Sequence, residues 1–510
     1  MTKLRRFSAF ILALAIVFSF FGTGALAAEN QPDSKIQVTD QYQLAAQTQS
    51  TEQKEYLESV RNLIREKYNG EIPGEALNNA TTLKDIFKTL DDYSDFLTPE
   101  EFNDLITSLS GSVEGIGVQA NLEEKAKYIT IEKVFKDSPA WRAGVLPGDQ
   151  IAEINGESVV EKSFEETMDM VKGAAGTEVK LGLLRQGEMN IINFVITREY
   201  IDIPTVHYEI RGNTGYIQID SFSNNTYSGV ETALNYFDSK KITRVILDLR
   251  NNPGGYVDQA VAIARFFVPK GIITKLDYKD EDESDETYYS SRTKLKYKLA
   301  VLVNEYSASA SEILTGAIKD TKAGIIVGNK TFGKAKVQDF FPLLNEEAFQ
   351  SFNQNSEVKK VNAWDFTYYP MENELIGWAK MTVGLYYTPN GECIDLKGIE
   401  PNVKVDEDKT GIPVNLVESL TVTVKPKLGT RYSDVLYAEA ILKLLNYDVD
   451  QPDTDLDKKT VAAIAKFQKD NKLYSYGVLD FSTQKLLNNK LADMKQSKDP
   501  VYAMAAKLIK

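Results

Sequence analysis

The sequence predicts a multidomain protein of the α/β (α+β) class, in which a small β-rich domain precedes an α/β core and a helical domain follows it. The first indication is the length, because 510 residues suffice for about three domains. The second is a series of short strands and turns over residues 112–198. The third is the alternation of apolar, strand-like runs with helical segments over residues 201–406, which is typical of an α/β core.

Residues 1–27 are predicted to be a signal peptide. Lys3, Arg5 and Arg6 give the segment a basic start, an apolar run covers residues 7–21, and Ala25-Leu26-Ala27 supplies the small-residue cleavage pattern. An uncleaved anchor is the alternative, because the uncharged stretch is about long enough to span a bilayer. We therefore expect an exported, extracytoplasmic protein that is secreted or associated with the cell envelope.

The composition excludes several kinds of site. The chain contains one cysteine, Cys393, and one histidine, His207, and its formal net charge is −14. A single cysteine excludes an intrachain disulfide, and a single histidine excludes any metal centre that needs two imidazoles. We expect neither a metal nor another cofactor, and the acidic excess argues against a nucleic-acid partner. Histidine-based catalysis would depend on His207 alone, so another residue is the expected general base.

Residues 28–102 are predicted to form an N-terminal linker and helical region. Residues 28–50 are polar and rich in Gln, Ser and Thr, which is typical of a linker. From Thr51 to Tyr68, apolar residues recur at helical spacing, and a second helical stretch covers Leu83 to Leu90. The β-rich domain is expected to follow this region directly.

Residues 103–199 carry a glycine loop and two ordered turn motifs. The loop is Gly115-Ile116-Gly117-Val118, and the motifs are Ser-Pro-Ala at 138–140 and Pro-Gly-Asp at 147–149. This stretch resembles a PDZ domain. In that fold, backbone N–H groups of the glycine loop bind the terminal carboxylate of a peptide, which adds as a strand to the sheet edge. The resemblance implies that Gly115, Ile116, Gly117 and Val118 bind peptide.

A serine-rich turn stands between a predicted buried strand and a helix. Ser307, Ser309 and Ser311 follow the apolar run 299–303, and such turns place side chains and free N–H groups in a cleft. Each of the three serines could be a nucleophile, and tight packing of small residues is the alternative. A serine without a histidine needs another base, and Lys334 could serve if burial lowered its pKa.

Both segments together resemble the carboxy-terminal processing peptidases, or tail-specific proteases, and the resemblance covers residues 80–405. The family pattern is Ser-Ala-Ser-Ala-Ser-Glu, followed by a Thr-Phe-Gly-Lys and Val-Gln element. The resemblance implies that Ser309 is the nucleophile, that Lys334 is the general base and that Gln338 orients the lysine. Lys336 is expected to point to the opposite face.

A glycine-containing loop follows the strand-like run 245–249. Its glycines would let the backbone approach a ligand closely, and a plain turn is the alternative reading. In the family, this loop and the residue after the serine supply the oxyanion hole. The resemblance therefore implies the Gly254 or Gly255 N–H together with the Ala310 N–H. The family segment 388–401 closes the core domain, which is predicted to span residues 200–408.

Three features depart from the family pattern. Ala335-Lys336 follows the lysine where the family has Gly and a small residue, so a positive charge is added. Lys172 stands where the family commonly has an arginine that couples the PDZ domain to the active site. Residues Leu343–Ile376 form an insertion, and its aromatic segment 364–369 is expected to pack near the cleft.

The chain after the core is predicted to contain a linker over residues 409–430 and a three-helix domain over residues 431–493. The paired Leu-Asp-x-x-Thr helix entries at 456–460 and 479–483 resemble those of peptidoglycan-binding domains, and a generic helical bundle is the alternative. Residues 494–510 are expected to form a basic C-terminal tail with a last helix.

The expected function is that of an exported serine endopeptidase that recognises substrate C-termini through its PDZ domain and processes or degrades protein tails. Expected partners are proteins with accessible C-termini, peptidoglycan and a second copy of the chain, since some relatives form dimers through the N-terminal helices and the tail. Sporulation signalling is a role of some Gram-positive relatives. The alternatives are a catalytically weak, wall-associated PDZ scaffold and a peptidoglycan hydrolase with paired carboxylates.

Overall fold

A computed structural model describes residues 14–15, 51–121, 127–185, 188–279, 285–355, 363–364, 370–406, 412, 414–429 and 431–510. Nearly all of the predicted signal peptide and the whole of the predicted linker 28–50 lie outside the described residues, as does the aromatic segment 365–369. Among the helices in the described part of the chain, none has the length and apolar character needed to cross a membrane.

The N-terminal region packs on the α/β core. The apolar residues that predicted a helix, Tyr56, Val60, Leu63 and Ile64, are all buried in one cluster that also contains Leu343, Leu344, Phe349 and Met381 from later in the chain. The apolar face of the first helix is therefore covered by its own chain. The elements are β1 (Leu14–Ala15), α1 (Thr51–Lys67), α2 (Gly74–Asn79), α3 (Leu83–Phe87), β2 (Asp95–Leu97) and α4 (Pro99–Ser110).

The β-rich domain is a sheet in the order β4-β5-β6-β8-β9, with β7 paired to β6, and β3 pairs with β10 at its base. Its elements are β3 (Ser112–Gly115), β4 (Val118–Asn121), β5 (Ile129–Val134), α5 (Pro139–Ala143), β6 (Gln150–Ile154), β7 (Glu157–Ser158), α6 (Phe164–Val171), β8 (Glu178–Leu184), β9 (Ile192–Thr197) and β10 (Glu199–Asp202).

The two turn motifs of this domain have structural uses. The Ser138 hydroxyl accepts the Trp141 N–H at 3.2 Å and caps α5, in which Pro139 occupies the first turn. The Asp149 carboxylate is buried and accepts the Arg185 guanidinium at 2.7 Å. The Ser138 hydroxyl also donates to the Gly117 carbonyl at 3.3 Å, so the first motif contacts the glycine loop between β3 and β4.

The α/β core contains two sheets. The first has the order β11-β12-β13-β17-β18-β21 and is parallel from β12 onward; the second is antiparallel and contains β19, β20, β15 and β16, with β2 on β20 and with β1 between β14 and β19. The elements are β11 (Val206–Arg211), β12 (Thr214–Ile219), α7 (Thr226–Ser239), β13 (Arg244–Asp248), β14 (Gly255–Tyr256), α8 (Val257–Phe267), β15 (Gly271–Tyr278), β16 (Glu286–Ser290), β17 (Lys298–Val303), α9 (Ala310–Asp320), β18 (Ile325–Gly328), β19 (Lys336–Leu344), α10 (Glu346–Asn355), β20 (Leu375–Tyr387) and β21 (Val403–Lys404).

The parallel sheet is covered on both faces, which is why its strands read as continuous apolar runs. Alternate residues such as Ile217, Leu247 and Val301 face the helices α7, α8 and α9. The intervening residues Ile246 and Leu302 face a different cluster, which contains side chains of the last helix of the chain. The predicted α/β core is confirmed. The second face of its parallel sheet is covered by the helix at residues 500–508, in the predicted C-terminal tail.

The C-terminal region forms a three-helix domain and then returns to the core. Its elements are α11 (Ser433–Leu444), α12 (Lys458–Asp470), α13 (Phe481–Ser497) and α14 (Pro500–Leu508). The domain also contacts the β-rich domain, since the Ser433 hydroxyl donates to the Glu132 carbonyl at 3.0 Å. A helix lies in the predicted tail, but its apolar face packs on the parallel sheet and is not available for the dimer contact expected from the sequence.

The insertion after β19 packs mainly against the N-terminal helices. Ala363 is fully buried in their cluster, and the Trp364 ring lies 6.3 Å from the Phe341 ring. The expectation that the aromatic segment packs near the cleft concerns mostly undescribed residues, and its one described member, Trp364, belongs to this other cluster. Sequence reasoning placed it at the cleft because composition alone does not show which surface an aromatic residue covers.

Candidate active site

Ser309 lies at the strained turn between β17 and α9. Its backbone has φ 57° and ψ −116°, in the left-handed region that non-glycine residues seldom adopt. The turn is held because the Ser309 N–H donates to Glu312 Oε2 at 2.9 Å and its carbonyl accepts the Tyr386 hydroxyl at 3.1 Å. The Ser309 hydroxyl is buried and has no hydrogen-bond partner among the described residues.

The other two serines of the turn are engaged in holding it. The Ser307 hydroxyl donates to the Leu249 carbonyl at 2.7 Å and accepts the Asn304 N–H at 3.0 Å. The Ser311 hydroxyl donates to the Asn252 carbonyl at 3.0 Å. Of the three candidates, Ser309 is therefore the one whose hydroxyl has no hydrogen-bond partner among the described residues.

Lys334 is fully buried just before β19. Its ammonium nitrogen lies 4.3 Å from the centre of the Tyr93 ring. Burial lowers its pKa to about 7, and the nearby Lys380 acts in the same direction, while Asp91 and Glu312 oppose both. A shift of this size corresponds to on the order of 5 kcal/mol in favour of the neutral amine. A neutral lysine can therefore accept a proton near pH 7.

Glu312 joins the nucleophile turn to the lysine segment. One carboxylate oxygen accepts the N–H groups of Ser309 and Lys334, each at 2.9 Å. The other accepts the Thr331 hydroxyl at 2.6 Å and the Gly333 N–H at 2.8 Å. Burial raises the pKa of Glu312 to about 6, against the effect of these four donors. The backbone of Ser309 is thereby fixed relative to that of Lys334.

Sequence reasoning did not single out Glu312. The available signal was its position three residues after Ser309 at the start of a helix, where an acidic side chain commonly binds a backbone N–H. Tyr386 was missed as well. Its hydroxyl donates to the carbonyls of both Ser309 and Lys334, so it forms a second bridge between the same two residues.

Gln338 lies on β19 with its amide held in one orientation. Its Nε2 donates to the Thr382 hydroxyl at 3.2 Å, and that hydroxyl donates to Asp91 Oδ2 at 2.9 Å. Its Oε1 is buried and has no hydrogen-bond partner among the described residues. An acceptor that is buried and unpartnered is suited to receive a proton donor such as a lysine ammonium.

Lys336 does not point away from the site, so that expectation was wrong. Its ammonium binds Asp91 Oδ2 at 2.9 Å and lies 5.4 Å from the centre of the Tyr93 ring, which Lys334 also contacts. Residues two apart on an extended chain share a face, so the two lysines approach the same ring. The positive charge of Lys336, which the family pattern lacks, is therefore paired with the Asp91 carboxylate.

The glycine loop after β13 lies directly against the nucleophile turn. A Cβ added to Gly254 would stand 2.9 Å from both the Ala308 carbonyl oxygen and Ser309 Cβ, and 3.1 Å from the Ala310 nitrogen. The Gly254 N–H already donates to Asn252 Oδ1 at 2.8 Å. Ala310 is the first residue of α9, so its N–H has no acceptor within the helix.

Gly255 is constrained in another way. Its φ is 137°, and a Cβ there would stand 2.2 Å from the Phe222 carbonyl oxygen, so only glycine fits. Of the two glycines that the sequence left open, Gly254 has its N–H engaged by Asn252, and Gly255 lies opposite Ala15 in the pairing of β14 with β1.

The remaining predicted residues lie apart from this cluster. The Gly115–Val118 loop joins β3 to β4, and the Ile116 carbonyl accepts the Ala140 N–H at 2.8 Å. Lys172 ends α6 with its side chain 60% exposed and 3.8 Å from Asp169, and the structure does not bring it to Ser309. His207 lies on β11 with its side chain 58% exposed and its Nε2 2.9 Å from Asp220. Cys393 packs, partly buried, against the main core.

Within the described residues, no group of His, Cys, Asp and Glu side chains could hold a metal ion.

Three segments of the chain match known families. Residues 213–405 match peptidase family S41, residues 130–185 match the PDZ domain, and residues 431–487 match a putative peptidoglycan binding domain.

Curated relatives cover most of the chain. A probable CtpA-like serine protease of Staphylococcus epidermidis is 33% identical over 416 residues, which are 81% of this chain and 76% of the relative. A protein of the same name from Staphylococcus aureus is 30% identical over 459 residues, which are 89% of this chain and 84% of the relative. Among solved structures, a photosystem II D1 C-terminal processing protease is 26% identical, covers 70% of this chain and 94% of its own, and has a TM-score of 0.40.

Proposed function

Because the chain belongs to peptidase family S41, the carboxy-terminal processing serine proteases, and carries a PDZ domain, we propose that it is an endopeptidase in which Ser309 and Lys334 carry out catalysis. The observation that carries this proposal is that a buried serine hydroxyl without a partner among the described residues and a buried lysine with a pKa of about 7 lie on two segments that Glu312 and Tyr386 bridge.

The mechanism follows from these groups. The neutral Lys334 amine accepts the Ser309 hydroxyl proton while Oγ attacks the scissile carbonyl carbon. The N–H groups of Ala310 and Gly255 stabilise the oxyanion. Collapse of the intermediate breaks the C–N bond, and the Lys334 ammonium returns the proton to the leaving amine. Water then hydrolyses the acyl-enzyme with Lys334 again as base, and Gln338 Oε1 accepts from the ammonium while it exists.

The buried lysine also argues against the scaffold alternative. Keeping an amine in this environment costs folding free energy on the order of 5 kcal/mol when it is charged. A wall-associated scaffold without catalysis would gain nothing from that cost. Among the described residues, the Glu312 carboxylate beside the serine turn is engaged by four hydrogen-bond donors, which does not favour the hydrolase alternative.

The two accessory domains suggest where the enzyme works and what it takes. We propose that the PDZ loop Gly115–Val118 binds the terminal carboxylate of a substrate protein and that the enzyme is exported. The peptidoglycan-binding-like domain fits association with the cell envelope and with peptidoglycan itself. A homodimer is not part of the proposal, because the apolar faces of α1 and α14 pack within the chain. No feature of the site selects a sporulation substrate.

The rate of peptide hydrolysis is expected to rise with pH. Lys334 is active as the neutral amine, so kcat/KM should increase about tenfold per pH unit below its pKa of about 7 and level off above it. Below pH 6, protonation of Glu312 should make kcat/KM fall more steeply as the pH decreases. The measurement is kcat/KM for a fluorogenic peptide between pH 5 and 9.

His207 is the necessary control for that profile. Its hydrogen bond with Asp220 raises its pKa above the usual 6.5, so its titration overlaps that of Lys334 and the profile alone does not identify the base. The His207→Ala variant should keep both the rate and the rising limb. If the limb vanished in that variant, the lysine mechanism would be wrong.

Masking the C-terminus of a substrate should slow its cleavage. An extended substrate with a free C-terminal carboxylate is expected to be cleaved at least about tenfold faster, by kcat/KM, than the same chain ending in an amide, because the amide cannot replace the anion at the loop. Binding of both peptides to the inactive Ser309→Ala protein separates capture from chemistry. Equal affinities and equal rates would refute C-terminal recognition.

A further inference from the structure

A buried ion cluster connects helix α14 to the start of the glycine loop that follows β13. The Arg250 side chain is 2% exposed and lies between the carboxylates of Asp248 and Asp499, which are 3% and 4% exposed. Its Nη2 donates to Asp248 Oδ2 at 2.6 Å and to Asp499 Oδ2 at 2.7 Å, and its Nη1 donates to Asp499 Oδ1 at 3.2 Å. Asp499 therefore receives both terminal nitrogens of the guanidinium.

Asp499 is rigidly placed because it caps α14. Its Oδ1 accepts the N–H groups of Val501 at 3.0 Å and Tyr502 at 2.9 Å. Helix α14 packs on the parallel sheet, and its residues Val501 and Ala505 are fully buried. The cluster at this interface consists of Val501, Tyr502, Ala505 and Ile509 with Tyr216, Ile246, Ala300, Leu302 and Val327.

The charges of the cluster explain why Asp499 is needed. Arg250 keeps the pKa of Asp248 below its usual range despite burial, and the Tyr216 hydroxyl also donates to Asp248 at 2.7 Å. A buried guanidinium has five N–H donors, and one carboxylate satisfies only part of them. Asp499 supplies the second carboxylate, and the positive end of α14 offsets its own charge.

The chain that leads from Arg250 to the proposed oxyanion donors is short and makes hydrogen bonds to the serine turn. Asn251 exchanges two hydrogen bonds with Asn304, each of 2.9 Å. The Asn252 carbonyl accepts the Ala308 N–H and the Ser311 hydroxyl, each at 3.0 Å, and its side chain accepts the Gly254 N–H at 2.8 Å. A displacement of Arg250 would therefore move both the glycine loop and the serine turn.

We infer that Asp499 is a positioning residue of the active site: by holding Arg250, it sets the loop that carries the Gly255 N–H. The last helix then belongs to the catalytic unit, although it lies beyond both residues 213–405 and residues 431–487, the segments that match families. The inference rests on the proposed Ser309 mechanism.

The test is the Asp499→Asn variant of the full chain. Asparagine keeps the helix cap but removes the charge that faces Arg250. We expect kcat to fall about 10- to 100-fold with KM within about twofold, and the pH midpoint to stay near that of the wild type. A peptidyl boronic acid, which forms a tetrahedral adduct with the serine, should lose affinity in parallel. Peptide binding to a Ser309→Ala protein should not change when Asp499→Asn is added.

Val501→Ala is the matched control. It removes buried methyl groups from the same helix without touching Arg250, so it should lower the melting temperature while kcat stays within about twofold. If Asp499→Asn behaved like this control, with lower stability but normal kcat and boronate affinity, the role of Asp499 would be structural and the inference would be wrong.

A second variant covers the case in which Asp499→Asn does not fold. Arg250→Lys keeps the positive charge but loses the planar fork shared with Asp499, and it should show the same loss of kcat with little change in KM. Unchanged kcat in that variant would overturn the inference. Failure of the proposed function itself has a different signature, namely hydrolysis that survives in Ser309→Ala.

Discussion

Replacing Ser309 by alanine is expected to lower kcat for an unstructured protein substrate by roughly four to six orders of magnitude. The variant loses the one hydroxyl of the turn that is free to attack, while the Glu312 and Tyr386 contacts to the Ser309 backbone remain. The protein should therefore stay folded and still bind substrate. The measurement is kcat on a fluorescently labelled, unstructured protein with a free C-terminus, together with the melting temperature of the variant.

The neighbouring serines provide the controls for this result. Ser307→Ala and Ser311→Ala each remove one buried hydrogen bond to the loop 249–252, so they should lower the melting temperature by a few degrees. Their kcat should stay within about tenfold of the wild type, because neither hydroxyl reaches the reaction. A folded Ser307→Ala or Ser311→Ala protein as inactive as Ser309→Ala would contradict the assignment.

Lys334→Met is expected to abolish activity and to stabilise the protein at the same time. Loss of the base should reduce kcat by about three to four orders of magnitude. In the folded protein the lysine has a pKa of about 7 rather than its ordinary 10.5. Burial of the charged form therefore destabilises the wild type fully below pH 7, and this effect disappears as the pH rises toward 10.5.

The stability gain should thus depend on pH in a defined direction. For the protease core, Lys334→Met should raise the free energy of unfolding by up to about 5 kcal/mol at pH 6.5 and by only about 2 kcal/mol at pH 9. Thermal unfolding at the two pH values measures this. Lys336→Met is the matched control, because it breaks the ion pair with Asp91 and should give no gain. Destabilisation by Lys334→Met at both pH values would contradict burial as the cause of the shift.

The sequence predicted the order of the domains and the principal strands because local pattern determines both. Runs such as 299–303 are apolar throughout since the sheet is covered on two faces, and that is visible without a structure. The nucleophile was harder to assign. Ser307, Ser309 and Ser311 have the same side chain in the same turn, and only their partners, the carbonyls of Leu249 and Asn252, distinguish them.

The contacts that hold the active-site residues in place could not be predicted, because their partners come from distant parts of the chain. The Gln338 amide is held through Thr382 by Asp91, which lies on the loop before β2. Arg250 is held by Asp499, which is 249 residues away. A helical pattern shows that a segment such as α14 has an apolar face, but it does not identify the sheet that covers this face. Lys336 was predicted on the wrong face because residues two apart in an extended chain share a face, whereas the prediction placed Lys334 and Lys336 on opposite faces.

The position of α14 bears on how such a protein could have evolved. The peptidoglycan-binding-like segment 431–487 follows the peptidase segment 213–405 along the chain, yet the chain then returns to the parallel sheet as α14. A stop codon near position 430 would remove the final layer of the catalytic domain and expose Ile246, Leu302 and Val327 to water. An exchange confined to residues 431–487 would spare this contact, whereas a recombination that replaced everything after the peptidase segment would remove part of the core.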